Sequence, residues 1–165
     1  MKKTAGFTLI EMLIVLAILA IIATLTAPSL GLIVEKNAIR SVAESIKLDL
    51  QWTRTEAIKR SQDLTVSVNK VGGCYGISTQ QPLTNPITEQ CVCTDCDIKT
   101  VNALRDHNNL KFLMQPDENP VQTHYFKFMR GTATAGSLCI QSQNNLQLKV
   151  IVSTLGRIRI EETCS

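Results

Sequence analysis

Aromatic side chains make up only 4% of this 165-residue chain, and just two histidines, His107 and His124, are present. Neither histidine stands beside a partner motif, and no nucleophile elbow, phosphate-cradling glycine loop or paired set of metal ligands can be picked out. Catalysis is therefore not expected, nor is a cofactor or a bound metal. With so few rings, and with Trp52 in a stretch of helical periodicity, stacking on unpaired bases is disfavoured as well. Charge of one sign is equally missing. Lys and Arg number 17 against 14 Asp and Glu, a formal net charge of +3, so affinity for anions would have to come from a local patch. There is no internal repeat and no low-complexity segment. The length suits one compact domain plus one long helix and is too short for two full domains.

Cysteine, by contrast, is plentiful. Six cysteines in so small a chain suggest an oxidising compartment, where disulfides replace part of a core. Cys91, Cys93 and Cys96 form a C-x-C-x-x-C cluster, but a fourth ligand at zinc-site spacing is missing, which favours disulfides. Six cysteines allow fifteen pairings and the sequence alone does not choose among them. The working expectation is that Cys139 joins Cys164, pinning the C-terminal end, while Cys74 and the cluster form the other bridges.

The longest apolar run covers residues 7–27 and is interrupted only by Thr8, Glu11, Thr24 and Thr26, a length that suits one helical crossing of a bilayer. A secretory signal would carry its small-residue cleavage site after the apolar run. Here the plausible site, Lys-Lys-Thr-Ala-Gly, precedes it, so cleavage would retain the helix. Lys2 and Lys3 hold the leader in the cytoplasm by the positive-inside tendency, placing the remainder across the membrane, in keeping with the cysteines. Glu11 is the exception within the run. A carboxylate at the bilayer centre costs roughly 2.5 to 3.5 kcal/mol, so it either reaches the interface or has a partner.

The string Gly6-Phe7-Thr8-Leu9-Ile10-Glu11 resembles the processing site of type IV pilins and of the related pseudopilins of type II secretion, and Pro28 stands where that family has its helix-kinking proline. The resemblance implies that a prepilin peptidase cuts between Gly6 and Phe7 and methylates the new Phe7 amine. Glu11 would be the acidic fifth residue of the mature chain. In that role it pairs with a neighbouring subunit's amino terminus as the helix passes from lipid into a filament, where low dielectric strengthens the attraction.

Beyond the span the pattern becomes amphipathic: Ile39, Val42, Ala43, Ile46, Leu50 and Ala57 recur at helical spacing. Glu35, Lys36, Arg40, Lys47, Asp49, Arg54, Glu56, Lys59 and Arg60 fall on the other side and read as a solvated face. The helix is expected to run to about Ser61, with a kink or local break near Pro28. Short strands are predicted at residues 64–69, 98–103, 124–129, 138–141, 146–153 and 157–161, with a disulfide-stapled loop at 78–97. The fold class is therefore α+β, a long N-terminal helix packed on an antiparallel β-sheet head. The expected divisions are a leader at 1–6, a transmembrane and assembly helix at 7–28, its amphipathic continuation at 29–61 and a periplasmic β-rich head at 62–165. This layout, with Phe128-Met129-Arg130-Gly131-Thr132 before a late strand, resembles the GspH/FimT family of minor pilins and minor pseudopilins.

Gly156-Arg157-Ile158-Arg159-Ile160 is the segment of the head that offers chemistry. In a strand Ile158 and Ile160 would face the core while Arg157 and Arg159 project together from the outer face. Gly156 suits a tight turn with a positive backbone angle, leaving the arginines near a hairpin tip where forked donors can reach phosphate oxygens. The GRxR pattern is similar to the motif with which FimT-type minor pilins bind DNA during uptake for natural transformation, and Lys127, Arg130 and Lys149 are candidate supporting cations. A turn glycine followed by a charged edge strand is also an ordinary way to block aggregation, and Glu161, drawn opposite Lys149, and Glu162 would weaken a positive field. Three readings stand: a minor pilin that binds double-stranded DNA, a structural or priming minor pilin whose partners are other pilins, and a type II secretion minor pseudopilin.

Overall fold

The computed structural model describes residues 8–79, 96–114, 121–127 and 129–164, with side chains omitted at 25–30. The leader, Gly6, Phe7, Cys91, Cys93 and most of the stapled loop lie outside the described residues. Among the described residues one helix, α1 (Leu9–Arg60), is followed by nine strands. The chain divides into two compact units, residues 1–36 and 37–165.

In the first unit Thr8 caps α1: its hydroxyl oxygen accepts the Glu11 amide at 3.3 Å and its carbonyl accepts the Glu11 and Met12 amides. Glu11 thereby sits in the first helical turn. Its carboxylate is well placed there, because the N-terminal end of a helix carries partial positive charge. The large apolar residues from Leu9 to Ile22 are exposed, most of them by more than half their surface. Among the described residues no helix is long and apolar enough to cross a membrane; the apolar run continues into positions 25–27, whose side chains are not among them. Of the kink or local break expected near Pro28, the break does not occur. Helical backbone is continuous from Leu9 to Arg60, since a proline removes a single amide donor and leaves the flanking hydrogen bonds to carry the helix across.

In the second unit the six apolar residues read from the helical periodicity, Ile39, Val42, Ala43, Ile46, Leu50 and Ala57, are all buried. The helix closes with Gln62 N donating to Ala57 O and Ser61 N to Ile58 O, while Ser61 takes the left-handed conformation (φ 51°). That paired arrangement is the Schellman cap, here without a glycine. Strands β1 (Leu64–Asn69), β2 (Cys74–Ser78), β3 (Lys99–Asn102), β5 (Val121–Lys127) and β6 (Thr132–Ala133) form one antiparallel sheet in the order β3-β2-β1-β5-β6. A second sheet orders β4 (Leu110–Phe112), β7 (Gly136–Ser142), β8 (Gln147–Val152) and β9 (Ile158–Glu161) as β4-β7-β8-β9. Leu64, Val66, Ile77 and Phe126 from the first sheet and Leu138, Ile140, Val150, Val152 and Ile158 from the second join the helix residues in one core.

The described bridges include Cys139–Cys164, with Cα atoms 5.9 Å apart, which fastens the segment after β9 onto β7. Cys74 and Cys96 are also disulfide-bonded, and no described cysteine is free. Asp49, assigned by periodicity to a solvated face, is instead a tie between helix and sheet. It accepts the Tyr75 hydroxyl at 2.5 Å and the Lys99 ammonium at 2.8 Å on each oxygen. Burial first, and the Asp49 carboxylate second, push the Tyr75 phenol far above its ordinary range, so it remains a donor.

Candidate functional site

The β8–β9 connection is short and fully specified. Gly156 N donates to Ser153 O at 2.8 Å, Ser153 N donates to Arg157 O at 3.0 Å, and Arg157 N donates to the Ser153 hydroxyl at 3.1 Å. Ser153-Thr154-Leu155-Gly156 is thus a β-turn with serine at its first position and glycine at its last. Gly156 has φ +70°, as a positive-angle turn glycine requires. Leu155 is 73% exposed, and Arg157 is exposed beside it.

The strand begins one residue later than the sequence reading placed it. Arg157 lies between the turn and β9, which starts at Ile158, whose side chain is buried. Register pairs Val152 with Ile158 and Val150 with Ile160 on the core side, and Ile151 with Arg159 and Lys149 with Glu161 on the other. Arg159 is engaged by Glu161 (Nε to Oε1, 3.0 Å) on the same face of the same strand. Both groups are well exposed, so this ion pair contributes less than about 1 kcal/mol and can be exchanged for another anion. The register of Lys149 opposite Glu161 also follows the simple hairpin read from the sequence.

A second turn meets the first. It links β5 to β6 and carries Met129, Arg130 and Gly131, the last with φ +58°. Ala133 N donates to Thr154 O at 3.0 Å, a main-chain bond from one turn region to the other. A Cβ built on Gly156 would collide with the Gly131 carbonyl oxygen and come within 2.9 Å of Arg54 Nε. Arg54 reaches from α1 to donate Nε–H to that same Gly131 oxygen at 2.9 Å. The solvated role assigned to Arg54 is therefore corrected: a partly buried side chain ties helix, β5–β6 turn and β8–β9 turn together. Sequence reasoning missed it because its acceptor is a main-chain carbonyl, which no residue pattern records.

The resulting surface is cationic and partly apolar. Arg130 on its turn, Arg157 just after the other turn and Lys127 at the end of β5 are exposed, and Met129 (83% exposed) and Leu155 are the most exposed large apolar side chains among the described residues of the head. Among those residues no carboxylate lies within ion-pair range of Arg130 or Arg157, in contrast to Arg159. His124 and His107 lie outside this surface. His124 is buried on β5, against Gly136, and His107 occupies the connection before β4.

A helix packed on two antiparallel sheets, preceded by an exposed apolar helical segment with a capped acidic first turn, is the architecture of a pilin-like subunit. The sequence profile of the prokaryotic N-terminal methylation motif matches residues 1–27, and that of type II transport protein GspH matches residues 42–156. The chain belongs to the GspH family. Among solved structures it is similar to the type IV minor pilin FimU of Pseudomonas aeruginosa, with 20% identity, TM-score 0.57, and 77% of this chain and 90% of that one covered. It is also similar to the minor pseudopilin EpsH of the type 2 secretion system of Vibrio cholerae, with 15% identity, TM-score 0.53, and coverage of 77% and 98%. No curated protein matches the sequence.

Proposed function

We propose that this chain is a minor type IV pilin that binds the backbone of double-stranded DNA through Gly156, Arg157, Arg159 and Lys149 during DNA uptake for natural transformation. The observation that carries this reading is the β8–β9 turn: Gly156 at φ +70° sets the exposed Arg157 at the tip, with Arg159 two residues on along β9. Guanidinium groups contacting phosphates position a protein without reading bases, so affinity is modest, salt-sensitive and indifferent to sequence. Several copies on a filament would add avidity.

The rest of the reading concerns delivery. Residues 1–6 are a leader removed by prepilin peptidase between Gly6 and Phe7, with methylation of Phe7. Residues 7–28 hold the subunit in the inner membrane in a single pass, 29–61 continue the helix, and the head at 62–165 lies in the periplasm until assembly carries it to the pilus or cell surface. Glu11, in the first turn, sets register against the amino terminus of a neighbouring pilin. The chain acts by binding, without catalysis, metal or cofactor.

The test is a salt-dependent titration of duplex DNA with the full chain in non-ionic detergent, native against an Arg157→Gln, Arg159→Gln double variant with an unchanged melting temperature. Binding by the native protein that weakens with salt and is lost in the variant supports the reading. Equal or absent binding in both overturns it. The alternative, a priming minor pilin or a type II secretion pseudopilin that leaves DNA alone, draws on the Arg159–Glu161 ion pair, which occupies one of the two arginines.

A further inference from the structure

We propose that the turn carrying Met129, Arg130 and Gly131 is the second half of the binding site, with Arg130 as a further phosphate-contacting residue. This rests on the DNA-binding reading and extends it from one hairpin tip to two. The two turns are not neighbours by chance of surface curvature. Ala133 N to Thr154 O joins their backbones, the Gly131 carbonyl fills the space that a side chain at Gly156 would need, and Arg54 clasps that carbonyl at 2.9 Å. Arg130 directly precedes the clasped glycine, and Arg157 directly follows the glycine packed against it. The backbones that carry the two cations are therefore fixed to each other by main-chain contacts.

Such an arrangement fits a ligand that presents phosphates repeatedly along a stiff backbone. Arg159 must exchange Glu161 for a phosphate, whereas no described carboxylate engages Arg130 or Arg157, so these two are the cations best prepared to bind. Met129 at 83% exposure and Leu155 at 73% flank them, one on each turn, and offer apolar contact to the sugars between phosphates. A duplex backbone satisfies both requirements at once, and a free nucleotide does not.

Counting phosphates in solution tests this. Binding of a short duplex to the full chain in non-ionic detergent is measured by fluorescence anisotropy over a range of salt concentrations, for the native protein, Arg130→Gln, Arg130→Lys, and the Arg157→Gln, Arg159→Gln double variant. Each phosphate contact contributes about one to the slope of log affinity against log salt. Arg130→Gln is expected to weaken binding about three- to tenfold at physiological salt and to lower the slope by about one, while Arg130→Lys restores the slope. Circular dichroism melts show whether each variant keeps its fold; Arg130 is exposed in a turn, so its variants are expected to. If Arg130→Gln leaves affinity and slope unchanged while the double variant loses binding, the second half of the site is wrong and the first stands. If the native protein does not bind, or the double variant binds as well as it does, the DNA reading fails and this inference with it.

Discussion

His124 is 3% exposed, its ring packed so closely on Gly136 that a Cβ there would collide with Cε1, and its Nδ1 faces the Thr134 carbonyl at 3.3 Å. Burial, and secondarily the charge of Lys70, hold the imidazole below its ordinary value, outweighing the opposite pull of the Thr134 carbonyl. The folded state therefore keeps His124 neutral under conditions in which the unfolded chain protonates it. The stability this contributes is fully present above the ordinary value of about 6.5 and is lost as pH falls from there through the folded value, at up to about 1.4 kcal/mol per pH unit. In urea denaturation from about pH 7 to 4, the native protein should lose stability over this window more steeply than His124→Gln. Identical pH profiles would show that the buried imidazole does not set this dependence. Nothing in the sequence around His124 distinguishes it from an ordinary strand residue, because its environment is supplied by β1, β7 and Lys70. Gly156 was legible for the opposite reason: its role is local, a turn glycine between two strand patterns. Arg54 was not, because a helical arginine on a polar face looks the same whether it meets water or a distant carbonyl.

Elements were legible in proportion to their length and periodicity. The amphipathic half of α1 revealed its buried face, and β1 was read with its observed bounds, Leu64–Asn69. Strand β2 was missed. Its sequence, Cys-Tyr-Gly-Ile-Ser, is buried at every position and contains a glycine, so it shows no alternation for a reader to find. β4 and β6, of three and two residues, are too short to carry any period and exist because a neighbouring strand pairs with them. The tie between α1 and the first sheet at Asp49 gives a prediction of its own. Asp49→Ala leaves the buried Tyr75 hydroxyl without its acceptor and should cost about 2 kcal/mol in denaturant unfolding. Lys99→Ala removes only the more exposed partner and should cost less than about 1 kcal/mol. Equal effects would place the strength of the tie in the ion pair instead of the phenol.

At the scale of the molecule, the core from Ile39 to Ile158 lies wholly within the 37–165 unit, whereas the described apolar side chains from Leu9 to Ile22 are exposed. A fragment comprising residues 37–165 should consequently fold alone and melt in one cooperative transition, measured by calorimetry and near-ultraviolet dichroism. A broad, non-cooperative melt would mean that the first unit supplies stability that the core does not. The contrast between a mostly apolar run and an amphipathic one was plain in the sequence, although the expected division at 28/29 is not the observed one at 36/37. The joining of the two hairpin tips was not, because it depends on carbonyls and on space.

That junction has a consequence for heredity. Arg54 and Gly131 stand 77 positions apart, yet Arg54, Gly131 and Gly156 meet at one point. For descent with modification the three behave as a single character. A lineage that replaces Gly156 must move the Gly131 carbonyl as well as accept a strained positive φ, and one that loses Arg54 releases the carbonyl it clasped. Among relatives of this chain, the three should be kept together or lost together.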